Sequence, residues 1–193
     1  MRFGCVDRLS FLVPLARLAD PGRSAGYNVA MDTVYIETTV VGSIAGRIHP
    51  DPMTAARQAV TRQWWMTAAQ RYRLLASQLV IDECSAGDPT AATERLVVIH
   101  GMELLDTSDA VEDLADKLVS NGAVPASQPR DAFHIAIAAV NGVQYIATWN
   151  FKHIANPTLQ NKIASVCRDS GFEPPVICTP EQLWEAENDS HSD

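Results

Sequence analysis

Short runs of β-branched and apolar residues alternate with stretches of helical periodicity from Val34 onward. The run Val34–Ile36 predicts a buried strand. Pro52 is typical of a helix start, and the apolar side chains between Met53 and Trp64 then recur at helical spacing. Strands that alternate with helices are typical of a parallel sheet, because each crossover needs a connection as long as a helix. The pattern therefore predicts an α/β fold.

The same alternation predicts the remaining elements. Further strands are expected at residues 74–76, 102–105, 143–148 and 176–178. Further helices are expected to begin near Ser77, Asp88, Thr107, Asp131, Leu159 and Pro180. The segment between the first strand and Pro52, which contains Gly42 and Gly46, is expected to be a loop.

One predicted helix differs from the others in having no polar face. It begins near Asp131, is apolar through Val140 and ends at Gly142. A helix that is apolar on all sides is expected to be buried centrally. Asp131 would then be a polar residue at the N-terminus of a buried apolar helix.

Length and composition favour one ordinary globular domain, because the chain has 193 residues, 47% hydrophobic and 20% charged. We expect residues 1–30, which show no sustained period, to be a poorly ordered N-terminal extension, with Met31 as an alternative natural start. A secretory signal at Leu9–Leu15 is a competing interpretation, but Pro14 interrupts that run and no A-x-A site follows. Residues 31–184 would form the domain and residues 185–193 an acidic C-terminal tail.

The four cysteines lie at least eleven residues apart, so no CxxC metal or redox pair is present. They are typical of reduced cytoplasmic thiols. No apolar run reaches the roughly 18 to 20 residues that span a bilayer, so we expect a soluble cytoplasmic protein with no membrane partner.

The net charge of −8 argues against a broad basic surface that binds nucleic acid. It is compatible with a local site, because carboxylates that hold a cation also make the net charge negative. If RNA is the substrate, a basic rim is needed, and its candidates are Arg47, Arg130, Lys152 and His153.

Four polar residues stand where parallel α/β sheets bind their ligands, beyond the carboxyl ends of strands. Glu37 follows the first strand directly, and Asn150 follows the strand that ends at Thr148. Glu83 lies on the short helix after the second strand, and Asp131 opens the apolar helix. These four are the candidate site residues.

Each candidate also has a purely structural interpretation. Asp131 could interact with the helix dipole, and Glu37 could form a buried salt bridge. Asp82 could take the place of Glu83 in a site, or either acid could be a solvated helix residue. Asn150 could be a turn residue. No single residue decides between these interpretations.

Four segments of the sequence resemble those of PIN domains. Tyr35–Thr39 is similar to the opening strand of that family, in which an acid followed by Thr and then Ser or Thr ends the strand. Arg130–Ala139 is similar to its most recognisable helix, an acid and Ala followed by small and apolar residues. Glu83 matches the helix Glu, and Ala147–Asn150 matches the strand that precedes a fourth acid. The resemblance covers residues 33 to about 183.

The resemblance implies a three-layer α/β/α sandwich with a central, mostly parallel sheet, and a metal-dependent ribonuclease like the VapC toxins of type II toxin-antitoxin pairs. Oxygen ligands favour Mg²⁺ or Mn²⁺. Glu37 and Asp131 would hold the ion, Glu83 would bind it or position the attacking water, and Asn150 would orient water or complete the coordination. The expected partners are RNA, a cognate antitoxin and a second copy in a homodimer.

Residues around the four candidates are expected to support them. Thr38 and Thr39 would hydrogen-bond Glu37 or a metal-bound water. His134 shares a helix face with Asp131, and it would touch a phosphate or orient an acid. Arg130 and Lys152 would contact the substrate. All five also have structural interpretations, as strand-end residues, a satisfied histidine or surface charges.

Two alternatives stay open. Glu37 and Asn150 stand where the family has Asp, and the neutral Asn150 motivates a PIN-like binding module without turnover. A haloacid dehalogenase-like phosphatase ranks lower, because it needs two acids separated by one residue after the first strand. Trp64 and Trp65 suggest either base stacking or, with better support from their apolar stripe, a place in the core or at an interface. With Tyr72 they form a candidate dimer surface.

Overall fold

A five-stranded parallel sheet forms the centre of the computed structural model, which describes residues 31–189. Every neighbouring pair of strands is parallel. Across the sheet the strands are β3 (Glu103–Leu105), β2 (Tyr72–Ser77), β1 (Asp32–Ile36), β4 (Tyr145–Ala147) and β5 (Val176–Cys178). The α/β class and the central parallel sheet predicted from the sequence are confirmed.

Eight helices connect and follow the strands in the described part of the chain. They are α1 (Thr38–Ala45), α2 (Pro52–Arg71), α3 (Gln78–Ser85), α4 (Pro89–Ile99), α5 (Asp109–Ser120), α6 (Pro129–Val140), α7 (Pro157–Asp169) and α8 (Pro180–Asp189). The starts predicted at Ser77, Asp88 and Pro52 are confirmed, since Ser77, Asp88 and Asp51 each cap a helix through a side-chain oxygen. Helix α7 begins at Pro157, two residues before the predicted Leu159, and Asn156 caps it. The architecture is consistent with a three-layer α/β/α sandwich.

The order of the strands creates a switch point between β1 and β4. From β1 the chain adds β2 and β3 on one side, then returns to add β4 and β5 on the other. Open α/β sheets bind ligands at such points, beyond the carboxyl ends of the strands. The hydrogen bonds between β1 and β4 continue past the end of β1, because the Glu37 amide donates to the Ala147 carbonyl at 3.1 Å. Glu37 therefore stands at the switch point.

Helix α1 corrects the expectation of a loop between β1 and Pro52. The β-branched residues from Thr38 to Val41 have low helix propensity, and Gly42 lowers it further. Two effects outweigh this. The Glu37 side chain caps the helix at the Thr39 amide, and the α1 side chains Val40, Val41 and Ile44 are buried.

The apolar helix α6 occupies the centre of the molecule, as its sequence predicts. Its buried residues form an almost continuous series: Asp131, Ala132, His134, Ile135, Ala136, Ile137, Ala138 and Ala139. Gly142 follows the helix with a φ of 66°, a conformation that favours glycine. Trp64 and Trp65 are also buried, at 0% and 3% exposure, so the sheet-covering helix α2 places them in the core.

The burial of Trp64 and Trp65 excludes them as a base-stacking platform, and it corrects the suggestion that they form a dimer surface. At the C-terminus α8 continues to Asp189, so residues 185–189, expected in the tail, are helical. The predictions for residues 1–30, including the signal and the extension, and for residues 190–193 lie outside the described residues. Within residues 31–189 no helix combines the length and the apolarity needed to cross a bilayer.

Candidate metal site

Glu37 is a buried carboxylate, 4% exposed, at the junction of β1 and α1. Its Oε2 accepts hydrogen bonds from the Thr39 amide at 3.1 Å, from the Thr39 hydroxyl, and from the Thr148 hydroxyl at 2.8 Å. These hydroxyl and amide partners, rather than an arginine, compensate its burial. All three bonds go to Oε2, which leaves Oε1 as the oxygen available to a cation.

Glu83 projects from α3 towards the same place. Its Oε2 accepts from the Thr38 hydroxyl at 2.5 Å and lies 3.1 Å from Nε2 of His134, and its Oε1 lies 3.7 Å from an Arg130 guanidinium nitrogen. Burial acts to raise the pKa of Glu83, but the hydrogen bonds from His134 and Thr38, with the nearby charges of His134 and Arg130, lower it overall. Glu83 is therefore stabilised as an anion.

The neighbouring acid Asp82 is excluded from the site. It is exposed, and its carboxylate accepts a hydrogen bond from Gln78 one helical turn earlier. Since Asp82 and Glu83 are adjacent in sequence, the helix directs them to different sides. The sequence left both acids open, and the structure assigns the site position to Glu83.

His134 is 1% exposed and connects two sets of groups. Nε2 faces Glu83, and Nδ1 lies 2.8 Å from the Tyr35 hydroxyl, which in turn lies 2.7 Å from the hydroxyl of Ser77. Burial raises the pKa of Tyr35, so its hydroxyl stays protonated. This chain fixes the imidazole ring and aims Nε2 at the carboxylates, as supporting hydrogen bonds do for metal-binding histidines.

Glu37, Glu83 and His134 converge. One ligand atom from each lies within 4.8 Å of the others. Ligands about 2.1 Å from an ion and at right angles to each other are about 3 Å apart, close to the observed contact between Glu83 and His134. Small side-chain movements would therefore let these three groups hold a divalent cation.

Asp131, at the start of α6, is 9% exposed and only partly satisfied. Its Oδ1 accepts from the Asn150 amide nitrogen at 3.0 Å, whereas its Oδ2 is buried and has no hydrogen-bond partner. Burial raises the pKa of Asp131, and the nearby charge of Glu83 raises it further. The hydrogen bond from Asn150 and the charges of His153 and His134 act in the opposite direction, but the pKa is raised overall. A buried carboxylate oxygen without a partner is costly, and a cation is the partner that would compensate it.

Asn150 combines its turn role with a role in the site. Its side-chain oxygen accepts from the His153 amide at 3.1 Å, which stabilises the turn after β4. Its side-chain nitrogen binds Asp131, and its backbone amide donates to the Thr148 hydroxyl at 2.9 Å. Through Thr148 and Asn150 the turn connects Glu37 with Asp131.

The supporting residues divide into two groups. Thr38, Thr39, His134 and Arg130 contact the carboxylates, although Thr38 binds Glu83 rather than Glu37. Lys152 is exposed on the turn after β4 and its backbone carbonyl accepts from Asn156, so it belongs to the surface around the site.

Sequence reasoning missed three residues, Tyr35, Ser77 and Thr148. Tyr35 was taken as a strand residue, Ser77 as a helix cap and Thr148 as the end of a strand. A tyrosine in an otherwise aliphatic buried strand is a usable signal, because its hydroxyl needs a partner.

Comparisons with protein family models, with curated proteins and with solved structures return no match to this chain. The chemistry of the site therefore follows from its own geometry and from the motifs of the sequence.

Proposed function

We propose that this protein is a metal-dependent endoribonuclease of the PIN type, similar to VapC toxins. The observation that carries the proposal is the meeting of Glu37, Glu83 and His134. Asp131 is not part of that group, but its carboxylate interacts electrostatically with Glu83 and His134 and has a buried oxygen without a partner. Two acids in one small volume, with the nearby charge of a third, repel one another unless a cation neutralises them. Their place beyond β1 and β4 is where this class of sheet binds its ligands.

Glu37, Glu83 and Asp131 would hold the ion, Mg²⁺ or Mn²⁺, with His134 as a further ligand or as an orienting group. A nitrogen donor among oxygen donors favours Mn²⁺ over Mg²⁺. Such an ion lowers the pKa of water and neutralises charge on a scissile phosphodiester. The three carboxylates would bind the ion, and the hydroxyls of Thr38, Thr39 and Thr148 hold Glu83 and Glu37 in place.

The remaining residues act on the substrate side. Arg130, whose side chain is 71% exposed, extends over Glu83 and can bind a phosphate oxygen while it balances the charge of that acid. Lys152 and His153 supply positive charge near the turn after β4. Asn150 orients Asp131 through its amide.

Cleavage of RNA in Mn²⁺ tests the proposal. Wild type should cleave and lose activity in EDTA, and Asp131→Asn should lower the rate on the order of 100-fold, because it removes a metal ligand. Asp109→Asn is the matched control, since Asp109 is an exposed acid in the first turn of α5 and lies outside the site. Equal rates for wild type and Asp131→Asn, or full activity in EDTA, would remove the mechanism.

A binding module without turnover is the second candidate, and Asn150 favours it. Its neutral amide donates to Asp131, where a fourth acid would add negative charge. Calorimetry with Mn²⁺ separates the two candidates when combined with the cleavage assay. Tight Mn²⁺ binding without cleavage would favour the module, and Asn150→Asp would then be expected to restore turnover.

The proposed partners and location follow from the same resemblance. The proposed partners are an RNA substrate, a cognate antitoxin and a second copy of the chain, and the proposed location is the cytoplasm. Since Trp64 and Trp65 are buried, a dimer that uses α2 would contact through its exposed side chains, among them Met53 and Met66 at 63% and 64% exposure. Light scattering of Met66→Asp against wild type tests that surface.

A further inference from the structure

An aromatic pair lies beside the candidate site on the turn that follows β4. Trp149 and Phe151 flank Asn150, and their rings meet edge to face with centroids 5.8 Å apart. Trp149 is anchored, because its indole nitrogen donates to the Thr61 hydroxyl at 2.8 Å. Phe151 is 42% exposed, so part of its ring faces solvent.

Arg57 of α2 covers this pair with a positive charge. Its guanidinium carbon lies 4.9 Å from the centroid of the Phe151 ring and 5.6 Å from that of Trp149. Both distances are within the range of cation–π attraction. This attraction favours the observed orientation of the Phe151 ring.

Phe151 also forms one wall of an open groove of about 400 Å³. Pro157 and Ile177 contribute further apolar surface, and Gln160, Glu181 and Gln182 contribute polar groups. The groove thus combines a planar ring with hydrogen-bonding side chains, as sites for small planar ligands do.

The polar side of the groove is ordered by the start of α8. Gln182 accepts a hydrogen bond from the Thr179 amide at 2.9 Å, and its own backbone amide donates to the Thr179 hydroxyl at 3.2 Å. This reciprocal pair is a capping box, which fixes the Gln182 side chain. Its amide hydrogens are then the part of the side chain that can donate to a ligand.

The groove is linked to the carboxylates through the turn after β4, because its wall Phe151 directly follows Asn150. The Trp149 amide donates to the Thr39 hydroxyl at 2.8 Å, and that hydroxyl also binds Glu37. On the other side of Trp149, Asn150 binds Asp131. Phe151 is thus the neighbour in sequence of the residue that binds Asp131, so a nucleotide next to a phosphate at the carboxylates is the candidate to contact its ring.

We infer that this groove binds one unpaired nucleobase of the RNA strand, stacked on Phe151, next to the phosphate at the metal site. The inference rests on the proposed function for the identity of the strand. Stacking on aromatic rings is the usual way in which proteins hold unpaired bases, and bases within a duplex have no free face. The carboxylate of Glu181 opposes a phosphate in the groove, whereas a neutral base with amino hydrogens is compatible with it.

Binding of a fluorescent, phosphorothioate-linked, single-stranded RNA decamer in Mn²⁺ tests the inference by anisotropy. Phe151→Ala should weaken binding about tenfold, and Phe151→Tyr should keep most of the affinity because it keeps the ring. Leu104→Ala is the matched control, since it shortens a similarly exposed apolar side chain on β3, at the opposite edge of the sheet from the groove. Thermal unfolding confirms that each variant is folded.

A set of decamers with one abasic position each completes the experiment. In wild type one position should show a penalty of about tenfold, and that penalty should vanish in Phe151→Ala, because the base and the ring form one contact. Equal affinity of wild type and Phe151→Ala, an unchanged abasic penalty, or no binding of RNA to wild type would each overturn the inference.

The same experiment separates this inference from the proposed function. Cleavage of unmodified RNA by wild type and Phe151→Ala at equal rates and affinities would overturn the base groove and leave the nuclease intact. Binding that depends on Phe151 without any cleavage would support the groove and overturn the nuclease.

Discussion

The carboxylates in the two halves of the candidate site have opposite environments. On the side of β1 and α3, hydroxyls, an amide and an imidazole hydrogen-bond Glu37 and Glu83, and the pKa of Glu83 is lowered. On the side of α6, Asp131 has one buried oxygen without a partner, and its pKa is raised by burial. The carboxylates of the first half are stabilised as anions, whereas Asp131 is compensated by a bound cation or by protonation.

This difference shows which residues serve the fold and which serve the ligand. Glu37 caps α1 and joins it to the turn after β4, so it stabilises the metal-free protein. Asp131 destabilises it, as functional groups often do. The two carboxylates should therefore respond to substitution with opposite signs.

The largest effect on stability is expected for Glu37→Ala. The substitution leaves Thr39 and Thr148 without their acceptor and removes the cap of α1, which should cost about 2 to 4 kcal/mol. Urea unfolding measures this change in the free energy of unfolding. Asp51→Ala, which removes the exposed cap of α2, is the control and should cost less. A smaller loss for Glu37→Ala than for Asp51→Ala would contradict the structural role of Glu37.

Tyr35→Phe is expected to have the next largest effect. It removes the hydroxyl that links Ser77 to Nδ1 of His134, all in buried surroundings, at a cost of about 1 to 2 kcal/mol. It should also weaken Mn²⁺ binding about tenfold, because the imidazole loses its orienting partner. Calorimetry with Mn²⁺ measures the second effect. Lost stability with unchanged Mn²⁺ affinity would show that His134 has a purely structural role.

Asp131→Asn should stabilise the metal-free protein. It removes the buried charge and keeps an oxygen for the Asn150 amide, so we expect a gain of about 1 kcal/mol and a rise of about 2 to 4 °C in melting temperature in EDTA. Mn²⁺ should raise the melting temperature of wild type and not that of the variant. Destabilisation of the variant in EDTA would show that Asp131 is satisfied by the protein itself.

The pH dependence of stability gives the smallest but most specific contrast. Because folding raises the pKa of Asp131, this residue stabilises the folded protein at low pH, and that stabilisation is lost as pH rises through the folded pKa. Folding lowers the pKa of Glu83, so Glu83 stabilises the folded protein at higher pH, and that stabilisation is lost as pH falls through the folded pKa. In EDTA the advantage of Asp131→Asn should therefore appear only as pH rises from about 3 towards 7. The cost of Glu83→Gln should grow over the same range. Parallel curves for the two variants would refute the contrast.

The sequence predicted the parts of the structure that depend on local pattern. The strands, the buried helix α6 and the placing of Glu37, Glu83, Asp131 and Asn150 beyond strand ends follow from periodicity and from the rule for parallel sheets. Helix α1 was wrongly expected to be a loop, because the burial of Val40, Val41 and Ile44 outweighs the low helix propensity of its residues.

The contacts within the site depend on distant parts of the chain. Tyr35, Ser77 and His134 come from β1, β2 and α6, and their hydrogen bonds depend on how the strands and the helix pack. Thr39 binds Glu37, but Thr38 binds Glu83. This difference depends on helix α1, which the sequence did not predict. Periodicity places residues on a face but does not determine which side chains meet.

A crystal soaked in Mn²⁺ and measured for anomalous scattering tests the central claim most directly. We expect one strong peak about 2.0 to 2.5 Å from carboxylate oxygens of Glu37, Glu83 and Asp131. Nε2 of His134 should lie next to the ion, as a further ligand or as a hydrogen-bond partner of Glu83. The formerly unpartnered oxygen of Asp131 should be among the ligands. A fully soaked crystal with no peak between these side chains would contradict the account.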